Sequence, residues 1–313
     1  MRFLWALGLA LAACAPLSPV KVGSVDPEFA GQASAIQPVG PCALRLRASV
    51  PIEIAELPLV PVRINGHPAT LVLDTGAETA VLTEAAAKRL GVTTKYDFRR
   101  SLSGIGRAIA TNDARLDSFS LGGVSVPYPR TLVGNLPLRL NGAERDGMLG
   151  ASLLADFDLD IDMPHKRLDL YDRLDCDSVR PPWAGRAVTL QTTRSLSRHP
   201  FFPIQVNGRT LSATLDTGAQ RTVVSSSAAA AAGIDATSQL AGHQVAQGAV
   251  GELLPAFLHL VDVSVAGIKL HGPVLVTAAG FPRDIDALVG LDFLMSNRVW
   301  LSYGARRIFI LPE

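Results

Sequence analysis

The sequence is poor in cysteine, with three in 313 residues. That excludes a disulfide-rich scaffold and a cysteine-rich zinc site. It has no charge surplus: 29 basic residues stand against 28 acidic ones, for a net charge of +1. A nucleic-acid binder would need an excess of phosphate-neutralising side chains. The six histidines, His67, His165, His199, His243, His259 and His271, show no paired ligand spacing, so no metal is expected. No P-loop, G-x-S-x-G elbow or G-x-G-x-x-G stretch occurs, and no cofactor is expected. What is present is a 48% hydrophobic, 18% charged chain. That composition is globular, and the length suits one large domain or two of average size.

The longest apolar run near the start covers residues 3–13, after Met1-Arg2. A bilayer-spanning helix takes about 20 residues. The run has the size of a secretory signal core. It ends Leu11-Ala12-Ala13-Cys14, which resembles a bacterial lipobox, with cleavage before Cys14 and lipidation of that cysteine. An ordinary signal peptide cut near Ala13 or Ala15 is the alternative. Residue 15 is Ala and not Asp, which by the usual Gram-negative sorting rule implies the outer membrane and a periplasm-facing protein. Residues 1–13 are thus expected to be a signal peptide, and 14–42, rich in Pro, Gly, Ser and Ala, a lipidated flexible tether.

The rest is a repeat. Residues 60–92 and 202–234 are identical at 12 of 33 aligned positions. Asp74 and Asp216 stand 142 residues apart, as do Gly66 and Gly208. Each copy opens with period-2 alternation, Val60, Val62, Ile64 and Phe202, Ile204, Val206, which is a strand signal. Asn65-Gly66 and Asn207-Gly208 then supply the two positive-φ residues of a tight hairpin. The return strand runs into Asp74-Thr75-Gly76 or Asp216-Thr217-Gly218. An Ala-rich helix follows, capped by Thr83 or by one of Ser225, Ser226 and Ser227, and Gly91 and Gly233 stand where a helix ends. A second block repeats at an offset of 140: residues 146–150, Asp-Gly-Met-Leu-Gly, and 286–290, Asp-Ala-Leu-Val-Gly. Between the blocks, each half carries a glycine-punctuated segment, 101–110 around Gly104, Ile105 and Gly106, and 242–251 with Gly248 matching Gly106. Two homologous β-rich lobes are expected, 43–175 and 183–313, joined by a linker at 176–182.

One Asp-Thr-Gly by itself is a strand-ending turn. Two copies at matched places of related lobes can each bring a carboxylate to a shared axis. Carboxylates about 3 Å apart share one proton. The ionised member can then take a proton from water while the protonated one binds a substrate carbonyl. Glycine after the threonine leaves room for backbone beside the acid, and the threonine hydroxyl is free to bond across the interface.

From about residue 50 to 312 the chain resembles the aspartic peptidases, and among them the bacterial retropepsin-like group. The resemblance rests on hydrophobic-Asp-Thr-Gly-Ala at 73–77 and 215–219 and on the glycine blocks ending at Gly150 and Gly290. It implies a mainly all-β, bilobal acid-protease-like fold of two β-barrel lobes, each with a short helix. It implies that Asp74 and Asp216 form a catalytic dyad, that Thr75, Gly76, Thr217 and Gly218 support the active-site loops, and that Gly104, Ile105, Gly106 and Gly248 lie on flaps over a peptide or protein substrate. Both halves occupy one chain, so a monomer suffices. Ala77 and Ala219 follow the glycine as in retroviral enzymes, and the first flap segment lacks the tyrosine of pepsins.

Two further patterns need a reading. Asp156, Asp158, Asp160 and Asp162 alternate with apolar residues. Without a loop glycine and distal Glu this is not an EF-hand, and a strand with one polar face is expected. Cys42 and Cys176 bracket lobe 1. In an oxidising periplasm an even remainder favours a disulfide over two free thiols. Two other readings of the whole remain: a peptide-binding module that captures an extended chain without cutting it, and a structural envelope lipoprotein.

Overall fold

The computed structural model describes residues 42–103, 108–194, 199–235, 244–247, 253–277, 281 and 284–313. Cys14 and the 1–41 segment lie outside the described residues, as do Gly104, Ile105, Gly106 and Gly248. The body, Gln37–Glu313, is one compact unit.

Strand signals dominate, and each lobe folds into a ten-stranded sheet curled on itself. In lobe 1 the spatial order is Thr93–Ser103, Ala108–Arg115, Arg130–Gly134, Val81–Thr83, Gly147–Leu149, His67–Leu73, Leu57–Ile64, Phe119–Leu121, Val124–Ser125. Lobe 2 repeats that order strand for strand, from Gln244–Gln247 to Ile268–Lys269. The hairpins form where the Asn-Gly pairs stand. Asn65 and Gly66 have φ of 50° and 78°, Asn207 and Gly208 49° and 77°. Each asparagine also ties its turn to the rest of its lobe, by accepting from the amide of Asp117 (2.8 Å) or Asp262 (3.1 Å).

Period-2 burial holds only in part of the leading strands. In Leu57–Ile64 the pairs after Val60 alternate, but Pro58, Leu59 and Val60 are all buried. The physical reason is a second apolar cluster on the other face of the curled sheet, where Leu59 packs with Val72, Val81, Leu132 and Met148. Phe201, Leu288 and Ile285 form the counterpart in lobe 2. Both faces of the sheet are therefore dry at this point.

Among the described residues, each lobe holds two short helices where one was expected. Glu84–Arg89 is capped by the Thr83 hydroxyl, which accepts from the Ala86 amide, and Ser226–Ala231 by Ser225, which accepts from the Ala228 amide. The additional single turns, Ala151–Leu154 and Leu291–Leu294, follow Gly150 and Gly290 directly.

The lobes share a third sheet of six antiparallel strands, three from each half: Leu46–Pro51, Arg167–Asp172, Phe157–Asp162, Asn297–Ser302, Arg307–Pro312, Val188–Gln191. Asp160 faces Trp300 at its centre, and these residues occupy matched repeat positions, so the pseudo-twofold axis passes between them. The acid-rich stretch is a strand, but its polar face is not solvated. Asp158 and Asp160 are fully buried and Asp162 nearly so. Trp183 and Val179, from the segment between the lobes, pack with Trp300, Tyr171 and Phe309 over that face. Arg298 forks onto Asp160 at 2.9 and 2.8 Å, and the Trp183 indole donates to the same carboxylate at 2.9 Å. Cys176, in the same cover, is joined to Cys42 by a disulfide that closes 134 residues around lobe 1, with Cα atoms 5.9 Å apart.

Candidate active site

Each candidate acid is delivered by the same local construction. The strand His67–Leu73 pairs in parallel with Gly147–Leu149, and Arg209–Leu215 with Ala287–Val289. The pairing continues one residue further: the Asp74 amide donates to the Leu149 carbonyl (3.1 Å), the Asp216 amide to Val289 (2.9 Å). The loop after each acid is pinned by the start of the one-turn helix, Ala151 amide to Ala77 carbonyl and Leu291 amide to Ala219 carbonyl, both 2.8 Å. This crossing leaves no space at the glycine before the helix. A methyl on Gly150 would stand 2.7 Å from the Ala77 carbonyl oxygen, and one on Gly290 2.8 Å from that of Ala219.

The two loops meet at the lobe boundary. The Thr75 amide donates to the Thr217 hydroxyl (3.0 Å) and the Thr217 amide to the Thr75 hydroxyl (3.1 Å). Each hydroxyl in turn donates into the opposite lobe, Thr75 to the Leu215 carbonyl (2.9 Å) and Thr217 to that of Leu73 (2.6 Å). All four groups are buried, so breaking any one leaves an orphaned polar atom that costs roughly 1–3 kcal/mol. The glycines interlock as well. A methyl on Gly218 would lie 2.7 Å from the Asp74 carboxyl carbon, and one on Gly76 would collide with the Asp216 carboxylate. Only glycine lets each loop pass the opposite acid.

Asp74 and Asp216 are 7% and 9% exposed and share a hydrogen bond. Burial, and then the charge of Asp216, hold Asp74 well above the usual carboxylate range. Burial raises Asp216 too, opposed by amides of its own loop, among them Gly218 at 2.8 Å. The pair is thus pushed toward retaining a proton above the usual carboxylate range. It titrates as a unit.

The structure thus brings Asp74, Thr75, Gly76, Asp216, Thr217 and Gly218 to one point. Two neighbours carry no sequence motif. Tyr303 has a buried hydroxyl without a hydrogen-bond partner, and the Asp74 charge raises its pKa further after burial has done so. The His199 ring lies near the Gly76 backbone and Glu78, and burial lowers its pKa. The signal that marks both is departure from the repeat, since the matched residues in lobe 1 are Met163 and Leu57. Among the described residues, Asp162, His165 and Glu313 form a group with metal-ligating atoms. It sits at the outer end of the six-stranded sheet, and Asp162 already accepts from Arg167 and from His165 there.

The sequence model of the aspartyl protease family matches residues 60–153 and again 202–293. No curated protein matches the chain. Among solved structures, an aspartic proteinase from Irpex lacteus aligns with a TM-score of 0.54 over 86% of this chain and 97% of its own, at 14% identity. That identity speaks for the fold alone. The twofold family match covers more than half of the sequence, once per lobe and across both Asp-Thr-Gly loops, and the chain belongs to the aspartyl protease family.

Proposed function

We propose that the protein is an aspartic endopeptidase that hydrolyses peptide bonds between Asp74 and Asp216. The observation that carries this is the buried, proton-sharing pair held at the lobe boundary by reciprocal threonine bonds. Asp216, the ionised member, takes a proton from a water held between the acids. The resulting hydroxyl adds to the scissile carbonyl carbon, and the carbonyl oxygen receives the Asp74 proton. The tetrahedral diol then collapses. The amide nitrogen leaves with the proton held by Asp216, and one hydroxyl of the diol returns its proton to Asp74. No covalent enzyme intermediate is needed, and burial places both transfers in a medium of low dielectric where they count most. One chain supplies both acids, so the unit that acts is a monomer.

The test is a peptide-library digest with the wild type and with Asp74→Asn and Asp216→Asn, from acid to neutral pH. Cleavage by the wild type alone supports the reading. Substantial turnover by either variant overturns it.

We infer further that the body is tethered through Cys14 to the periplasmic face of a bacterial outer membrane. The support is Leu11-Ala12-Ala13-Cys14 after an eleven-residue apolar run. Labelled palmitate should enter the wild type and not Cys14→Ser. Equal labelling of both would refute the anchor.

A further inference from the structure

Asp292 lies outside both Asp-Thr-Gly loops, yet a chain of hydrogen bonds joins it to Asp216. Its carboxylate accepts from the Thr222 hydroxyl at 2.8 Å and from the Thr222 amide at 2.9 and 2.8 Å. The Thr222 hydroxyl oxygen accepts from the Gly290 amide at 3.2 Å. That amide belongs to the Val289–Gly290 peptide, whose carbonyl accepts from the Asp216 amide at 2.9 Å. Thr222 is fully buried and Asp292 half-buried, so the middle of the chain is dry. Lobe 1 cannot build the same chain. Ala80 stands at the place of Thr222 and has no hydroxyl to pass the link to the Leu149–Gly150 peptide. The Asp74 amide still donates to the Leu149 carbonyl, at 3.1 Å. The brace there is neutral, the Ala80 amide donating to the Ser152 hydroxyl at 2.9 Å.

Linked hydrogen bonds polarise one another, and a bond to an ionised group is about twice as strong as a neutral one. An ionised Asp292 draws the Thr222 hydroxyl proton toward itself. That makes the hydroxyl oxygen a better acceptor for Gly290, and the Val289 carbonyl a better acceptor for the Asp216 amide. Protonation of Asp292 would remove the charge that drives the chain. Burial raises the Asp292 pKa, opposed by the bonds from Thr222 and Phe293 and by the charge of Arg221. The strands packed on the Asp292 helix, Ala287–Val289 and Asn297–Ser302, bring one charged residue, Arg298, and it is bonded to Asp160.

We propose that Asp292 is a positioning residue for the reaction: through Thr222 and the Val289–Gly290 peptide, its carboxylate fixes the backbone from which Asp216 works. The acid of lobe 2 is thereby held by a charged brace, and that of lobe 1 by a neutral one. This role rests on the peptidase reading above.

The test uses the full chain. In NMR of the wild type, the Gly290 amide should show a step that shares its midpoint with the Asp292 carboxyl, above the free aspartate value of about 3.9. The step should vanish in Asp292→Asn and in Thr222→Val, and Thr222→Ser, which keeps the hydroxyl, should restore it. In peptide hydrolysis, Asp292→Ala should lower kcat about tenfold with little change in KM, the size expected for charge-assisted bonds. Asp292→Asn keeps an acceptor without the charge and should recover part of that loss. The advantage of the wild type over the Asn variant should shrink as pH falls through the Asp292 titration. A Gly290 amide indifferent to Asp292, an Ala variant with wild-type kcat, or a ratio of wild type to Asn variant that does not change with pH overturns the proposal. Should the Ala variant fail to fold, the Asn variant and the NMR titration decide. A wild type that cleaves no peptide would overturn the peptidase reading instead, and the Gly290 titration would still judge the brace.

Discussion

The two lobes share the strand order of their ten-stranded sheets, yet they brace their active-site loops differently. In lobe 1 the Ser152 hydroxyl accepts from the Ala80 amide at 2.9 Å. In lobe 2 the matched residues are Asp292 and Thr222, and the carboxylate takes both the amide (2.9 and 2.8 Å) and the hydroxyl (2.8 Å) of Thr222. The Thr222 hydroxyl accepts in turn from the Gly290 amide at 3.2 Å. His199 has no partner of its kind in lobe 1. In the shared sheet the imbalance reverses. Lobe 1 supplies Asp158, Asp160 and Asp162, and lobe 2 supplies Arg298, Trp300 and Ser302 at the matched places. Symmetry is kept at the threonines and the acids. It is relaxed where a contact braces only one lobe's loop, and in the shared sheet, where the strands pair across the axis but their side chains differ.

The sharpest way to probe this is at the axis itself. If the acids are equivalent halves of one unit, Asp74→Asn and Asp216→Asn should each lower kcat by a factor on the order of 10² to 10⁴, with circular dichroism unchanged. A large loss in only one of them would break the equivalence.

The next effect lies in the shared sheet. Asp158 has no hydrogen-bond partner, with the Ser302 hydroxyl and the Leu174 backbone as its nearest polar neighbours, and burial raises it to about 7. Its folded pKa lies above the unfolded one, so the folded state binds the proton more tightly. Its contribution is complete below about pH 4 and is lost as pH rises toward 7. Asp158→Asn stays neutral throughout. The variant should match the wild type near pH 4 and gain on the order of 4 kcal/mol over it by pH 7, measured by urea unfolding across that range. A difference that does not vary with pH would show that Asp158 is already ionised in the fold.

Third is the threonine exchange. Thr75→Val and Thr217→Val should each cost about 2 kcal/mol or more, because each orphans a buried carbonyl and a buried amide. Since the bonds are reciprocal, the double variant should cost less than the sum of the singles, and strict additivity in a double-mutant cycle would contradict a single grip. The smallest effect is expected where the lobes differ. Asp292→Ser, which copies lobe 1, should cost about 1 kcal/mol at neutral pH by leaving the Thr222 hydroxyl without its acceptor. Ser152→Asp should in turn destabilise lobe 1, where Ala80 offers only an amide.

Much of this was written locally. Asn-Gly at 65–66 and 207–208 demanded positive φ, Thr83 and the serines at 225–227 offered caps, and Gly91 and Gly233 closed the helices with φ of 63° and 71°. Each signal acts over a few residues, so it survives in one dimension. The acids, threonines and glycines of the site were legible for a different reason, since repetition at a fixed offset lifted a common tripeptide out of chance. The aspartate strand was legible as a strand, but not as a buried one, because its cover comes from the segment near Trp183 about 23 residues away. His199 and Tyr303 carried no motif, and only their mismatch to Leu57 and Met163 set them apart.

By itself, then, the sequence determined two related β lobes, one acid per lobe, and which residues turn, cap and stop. Those outcomes depend on backbone torsions and on contacts between near neighbours. Only the tertiary structure decided that Asp160 and Trp300 lie on the pseudo-twofold axis, and that Asp160 and Asp162 of one half meet Arg298 of the other. Those contacts join residues more than 120 positions apart, and no periodicity in the chain encodes them. They exist because a polar group buried at the lobe boundary is stabilised by a partner across it.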